Sequence, residues 1–167
     1  MFIFETAPTN FVELIRAIAL AYHFNWDAPR TYLRLSRDFH NLTIEKLQQD
    51  IIKVASYNIK DYEIIPNPEI VFLIEVMENE QGIQEYWTPL RIAQEFEYRE
   101  VAWINKDGLI IDVDSEGTEE VSRLLLDWGS AIEQQQWLIN TKPAFGVTAT
   151  SRYFLNVWHY SPRGCFL

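Results

Sequence analysis

Residues 99–138 read REVAWINKDGLIIDVDSEGTEEVSRLLLDWGSAIEQQQWL. The pattern predicts a β-hairpin running directly into one long amphipathic helix. Lys106-Asp107-Gly108 supplies the turn, because glycine takes positive φ at no steric cost and aspartate tolerates turn geometry. Val101 and Trp103 are expected on one face of the first strand. Leu109, Ile111 and Val113 should share one face of the second, with Asp112 and Asp114 alternating to the other side. Gly117 breaks the strand and Thr118 is the expected N-cap. Glu119 and Glu120 follow where carboxylates suit the positive end of the helix dipole. Val121, Leu124, Leu125, Trp128, Ile132 and Leu138 recur at helical spacing as one apolar stripe, and Asn140 and Pro143 mark its end.

Upstream, Phe11, Leu14, Ile15, Ile18, Ala19 and Tyr22 repeat at three and four, so a helix capped by Thr9 or Asn10 buries one face. Residues 30–39 fit two patterns. As a strand, Thr31, Leu33 and Leu35 face inward; as a helix, Tyr32, Leu35 and Phe39 share a face. The alternation in Thr31–Leu35 favours the strand. Ile44, Leu47, Ile51 and Val54 predict a second helix over about 43–56. Residues 70–77, IVFLIEVM, are nearly unbroken in apolar character, which marks a central strand covered on both faces. Residues 83–87 should return antiparallel until Thr88-Pro89 stops them, and residues 91–98 form a short strand or a helical turn. Beyond the long helix, residues 147–160 are aromatic and β-branched and read as a last strand. The expected fold is a single α+β domain over 1–167, with about three helices packed on a mainly antiparallel sheet.

A chain of 167 residues with 48% hydrophobic and 23% charged residues matches a soluble globular domain. No apolar run approaches the roughly 20 residues of a membrane helix, and the first residues lack a signal-peptide pattern. The single cysteine, Cys165, precludes an intrachain disulfide and a multi-thiolate zinc site. A cytoplasmic location is therefore expected. Net charge is −10, which disfavours nucleic acid, since phosphate binding needs neutralising cations. The charge is uneven: from Asp61 to Glu133 four cations stand against eighteen carboxylates, whereas no acid follows Gln134. The acidic middle serves solubility or offers a surface to a basic partner.

Motifs of chemistry are sparse. Asp112, Asp114 and Glu116 before Gly117 match the first half of an EF-hand loop. The closing bidentate glutamate is replaced by Arg123, so no metal site is expected. Cys165 lies six residues after His159, and Ser36 lies near His40, without a strained nucleophile turn. No glycine-rich phosphate loop exists, and no cofactor is expected. Arg30, Arg34 and Arg37 could hold an anion, although Asp27 and Asp38 offer them surface ion pairs. Glu75, inside the apolar strand, is expected to pair with Arg91 or Arg99. Aromatic residues make up 14% of the chain, and such residues anchor binding hot spots. Trp103 and Trp128 fit the core. Trp87, Tyr153, Trp158 and Tyr160 are the candidate partner-binding residues. The expected function is non-enzymatic protein binding (adaptor, assembly factor or inhibitor), the partner being another protein or a second copy in a homodimer. The alternative is an enzyme or small-ligand receptor whose site is assembled from residues distant in sequence.

Overall fold

The computed structural model describes residues 4–139. Helix α1 (Thr9–Ala21) precedes six strands: β1 (Tyr32–Arg37), β2 (His40–Gln48), β3 (Ile51–Lys60), β4 (Glu63–Asn79), β5 (Gly82–Gln94) and β6 (Glu97–Glu100). They form an antiparallel meander in the order β1-β2-β3-β4-β5-β6. A separate two-stranded ribbon, β7 (Ala102–Ile104) with β8 (Ile110–Val113), leads into helix α2 (Ser115–Gln134). The α+β class expected from the sequence is the class found.

Cross-strand register explains the layers. One row runs Leu33, Ile44, Val54, Ile70 and Ile92 across β1 to β5. It is almost wholly apolar and faces the two helices. The core there includes Phe11, Ile15, Ile18, Phe72, Trp87, Val121, Leu125 and Ile132. Fully burying each such side chain stabilises the fold by about 1.5–3 kcal/mol. That packing is needed, because a 13-residue helix such as α1 is marginal alone in water. On the opposite face Val71, Leu73, Leu90 and Ala102 form a smaller core under the ribbon. β4 is therefore central and covered on both sides along Ile70–Leu73, as its apolar run requires.

The helix expected over 43–56 is instead the β2–β3 hairpin, turning at Gln49-Asp50. A bulge between Lys46 and Gln48 shifts the register. Ile44 and Val54 then face the helices, while Leu47 and Ile51 pack under the ribbon. Apolar residues supplied to two faces imitate a helical period, so the number of helices is two in the described residues. The ambiguous segment before it is a strand. Thr88-Pro89 does not end β5. The Pro89 position coincides with a bulge opposite Val71 and Phe72, and β6 pairs only from Arg91 onward, so the missing N–H leaves no ladder bond unmade.

The hairpin turn stands where Gly108 places it, at φ +79°, with Asn105 Oδ1 accepting from the Asp107 and Leu109 amides at 2.9 and 3.0 Å. The expected faces are split rather than kept. Ala102, Ile104, Ile110 and Val113 pack inward, whereas Trp103, Leu109 and Ile111 are exposed. A bulge between Trp103 and Ile104 breaks the alternation. Val101 is buried on the helix side; its amide donates to the Leu90 carbonyl and its carbonyl accepts from Asp114, each at 2.8 Å. Asp114, not Thr118, caps α2 by accepting from the Gly117 amide at 2.9 Å. Arg37 on β1 donates to the Gln135 carbonyl (3.2 Å) beyond the far end of α2, and its guanidinium lies 4.9 Å from the Trp137 ring centre.

Candidate functional site

The sheet face away from the helices carries the charged side chains. One row reads Tyr32, Glu45, Lys53, Val71, Arg91 and Glu100 across all six strands. The row two residues along reads Arg34, Thr43, Ala55, Glu69, Ala93 and Tyr98. Lys53 Nζ sits 2.5 Å from Glu45 and 3.9 Å from Glu69, and the Tyr57 hydroxyl donates to Glu69 at 2.8 Å. Burial, reinforced by the Glu69 charge, pushes the Tyr57 phenol far above its ordinary range; burial also raises Tyr32. Both phenols stay protonated at physiological pH, so they act as hydrogen-bond donors and not as bases. Glu45, Lys53, Glu69 and Tyr57 thus form one linked chain of ion pair and hydrogen bond.

A different character appears at the end of the sheet formed by the β3–β4 and β5–β6 hairpins. Ile59 lies opposite Ile64 in the register. The β5–β6 turn is tied to this end by the Glu95 amide, which donates to the Pro66 carbonyl at 2.8 Å. Lys60 Nζ stands 5.8 Å over the Phe96 ring. Ile59, Ile64 and Tyr98 are exposed, Phe96 is 75% exposed and Tyr62 88%. Asp61, Glu63, Glu95 and Glu97 flank them in sequence, and Lys60 is the one cation within residues 59–64 and 94–98. These turns put non-glycine residues in the left-handed region, with Asp61, Tyr62 and Glu95 at φ +51°, +69° and +52°. Sequence reading missed this patch, because its members come from four strand ends and none belongs to a motif.

Of the candidates named from sequence, Trp87 falls elsewhere. Trp87 is 0% exposed; its ring packs 5.5 Å from Phe72 and 6.3 Å from Trp26, and its indole N–H donates to Glu85. It therefore has no surface to offer a partner, and its indole is satisfied inside the core. Glu85 also pairs with Arg16, whose guanidinium stacks 3.5 Å from the Trp26 ring centre. Tyr153, Trp158, Tyr160, His159 and Cys165 lie outside the described residues. Trp128 joins the core as expected, and Trp103 does not, being 37% exposed.

Arg30, Arg34 and Arg37 do not converge. Arg34 points to the charged face and Arg37 to the end of α2, while Arg30 borders a wide polar trough beside Trp26. Asp112 accepts from the adjacent Val113 amide, whereas Asp114 caps α2 and pairs with Arg99 at 2.5 Å. The Gly117 amide, then Arg99, holds the Asp114 carboxyl below its usual range. Arg99 also binds Glu120 at 2.7 Å. Among the described residues no group of three or more His, Cys, Asp or Glu side chains is placed to hold a metal ion. Glu75 faces Tyr86 and makes no ion pair among the described residues, because β4 outruns its covering layers there. No helix among the described residues is long and apolar enough to cross a membrane.

No family model, curated protein or solved structure matches the chain.

Proposed function

We propose that the chain is a non-enzymatic protein-binding domain of adaptor, assembly-factor or inhibitor type. The observation that carries this reading is the twin-hairpin end, where Ile59, Tyr62 and Ile64 of one hairpin and Phe96 and Tyr98 of the other are all exposed, with Asp61, Glu63, Glu95 and Glu97 beside them in sequence. Exposed aromatic and aliphatic side chains exclude water when a partner covers them and supply most of the binding energy. These acids select charge: Asp61, Glu63, Glu95 and Glu97 favour a partner that brings apolar anchors together with lysine or arginine. A second copy of the chain is the other partner class. A twofold contact through this patch would set the same four acids against themselves, so a second copy would dock elsewhere.

The test is affinity capture from the source cell with the wild type and with a Tyr62→Glu, Phe96→Glu double variant. Both side chains are exposed, so the variant keeps its fold. A partner retained by the wild type and lost from the variant supports the reading. Identical captured sets contradict it.

A further inference from the structure

Between the ribbon and the charged face of the sheet lies a cleft of about 240 Å³. Ile51 and Val71 line it from the sheet, Ile104 and Trp103 from the ribbon, and Arg91 with Glu100 from the β5–β6 edge. Arg91 is half-buried and makes no hydrogen bond or ion pair among the described residues. Its natural mate is Glu100, directly opposite in the register. The Glu100 carboxylate is already engaged: one oxygen accepts from the Tyr98 hydroxyl at 3.3 Å and the other from the Trp103 indole N–H at 3.2 Å. A guanidinium has five donors and remains charged at every accessible pH. Withdrawing it partly from water without a partner costs free energy that a bound anion would return.

We propose that this cleft binds a small amphipathic monocarboxylate, its carboxylate on Arg91 and its apolar body against Ile51, Val71 and Ile104. The planar guanidinium matches a carboxylate in bidentate geometry. A dianionic phosphate fits less well, because Glu100 stands beside the single cation and Lys53, in the same row, is already held by Glu45. The volume equals about eight water molecules at ~30 Å³ each, which suits a ligand of roughly eight to ten heavy atoms. Octanoate has that size. The cleft touches the twin-hairpin patch only through the Tyr98–Glu100 bond; Arg91, Ile51, Val71 and Ile104 lie outside the patch, so one reading can fail while the other stands.

The experiment titrates octanoate, and separately octanamide, into the full chain while following the indole N–H resonances in two-dimensional NMR. The Trp103 signal is assigned by its loss in Trp103→Phe. Octanoate is expected to move the Trp103 resonance saturably and leave that of Trp87 in place. Octanamide should bind the wild type about tenfold or more weakly than octanoate does. Arg91→Gln should abolish that preference while its spectrum stays dispersed; if Arg91→Gln loses its fold, Arg91→Lys, which keeps the charge and loses the fork, should weaken octanoate binding. Octyl phosphate serves as the competing headgroup. Absence of saturable octanoate binding, a Trp103 resonance that does not move, or equal binding of octanoate and octanamide overturns the proposal. Tighter binding of octyl phosphate overturns the assignment of the headgroup. Phe96→Glu should leave octanoate binding unchanged.

Discussion

Two glycines in α2 should respond to the same substitution with opposite signs. Gly117 lies in the first turn, and a Cβ built there would stand 2.8 Å from the buried Val101 Cγ1 and 2.6 Å from Asp114 Oδ2. Neither neighbour can yield cheaply. Val101 is pinned through its amide to Leu90 and its carbonyl to Asp114, and the Asp114 carboxylate is the N-cap. Gly117→Ala gains up to about 1 kcal/mol of helix propensity. Overpacking costs about 1–3 kcal/mol, and disturbing the cap adds about 0.5–2 kcal/mol. The net is a loss of about 0.5–4 kcal/mol, which lowers Tm by roughly 2–4 °C per kcal/mol in a chain of this size. A Cβ at Gly129 would meet only the Phe11 ring, at 3.4 Å, an ordinary contact. Gly129→Ala should therefore be neutral or stabilise by up to about 1 kcal/mol. Urea unfolding followed by circular dichroism measures both. A Gly117→Ala variant as stable as the wild type would refute the packing of the helix start on Val101.

Trp87→Ala removes one of the largest rings of the core and should cost about 3–5 kcal/mol in the same assay; a loss below about 1 kcal/mol would return Trp87 to the surface. Alkaline stability should track Tyr57. Its folded-state phenol titrates above the unfolded value of about 10, so its contribution is complete below that pH and is lost as pH rises through the folded value. Tyr57→Phe should flatten the decline above about pH 10, and an unchanged alkaline slope would show that the phenol is not buried beside Glu69.

Elements whose local pattern has one reading were legible in the sequence. The α1 stripe, the apolar run of β4 and the Gly108 turn each report a single geometry. The β2–β3 hairpin was not, because a bulge distributes Ile44, Leu47, Ile51 and Val54 between two covered faces in a helix-like period. The bulge in the ribbon, which inserts Ile111 on β8, likewise breaks the alternation there, while Trp103 faces outward because Ala102 and Ile104 on either side of it pack inward. Bulges leave almost no sequence signal, yet each flips the side chains beyond it. The candidate sites were less visible still. Trp87 carried the chemistry of a hot spot, but a tryptophan is equally suited to a core when a carboxylate such as Glu85 satisfies its N–H. The twin-hairpin end draws on residues up to about forty positions apart, and the guanidinium of Arg91, unpaired among the described residues, emerges only when Glu100 is seen bound to Tyr98 and Trp103.

Amide hydrogen exchange on the chain with its captured partner bound tests the central claim most directly. Protection should appear at residues 59–64 and 95–98, at the twin-hairpin end, and leave the exposed outer side of the ribbon at Leu109 and Ile111 unchanged. Protection confined to the ribbon, or absent from both hairpin ends, would contradict partner binding at this patch.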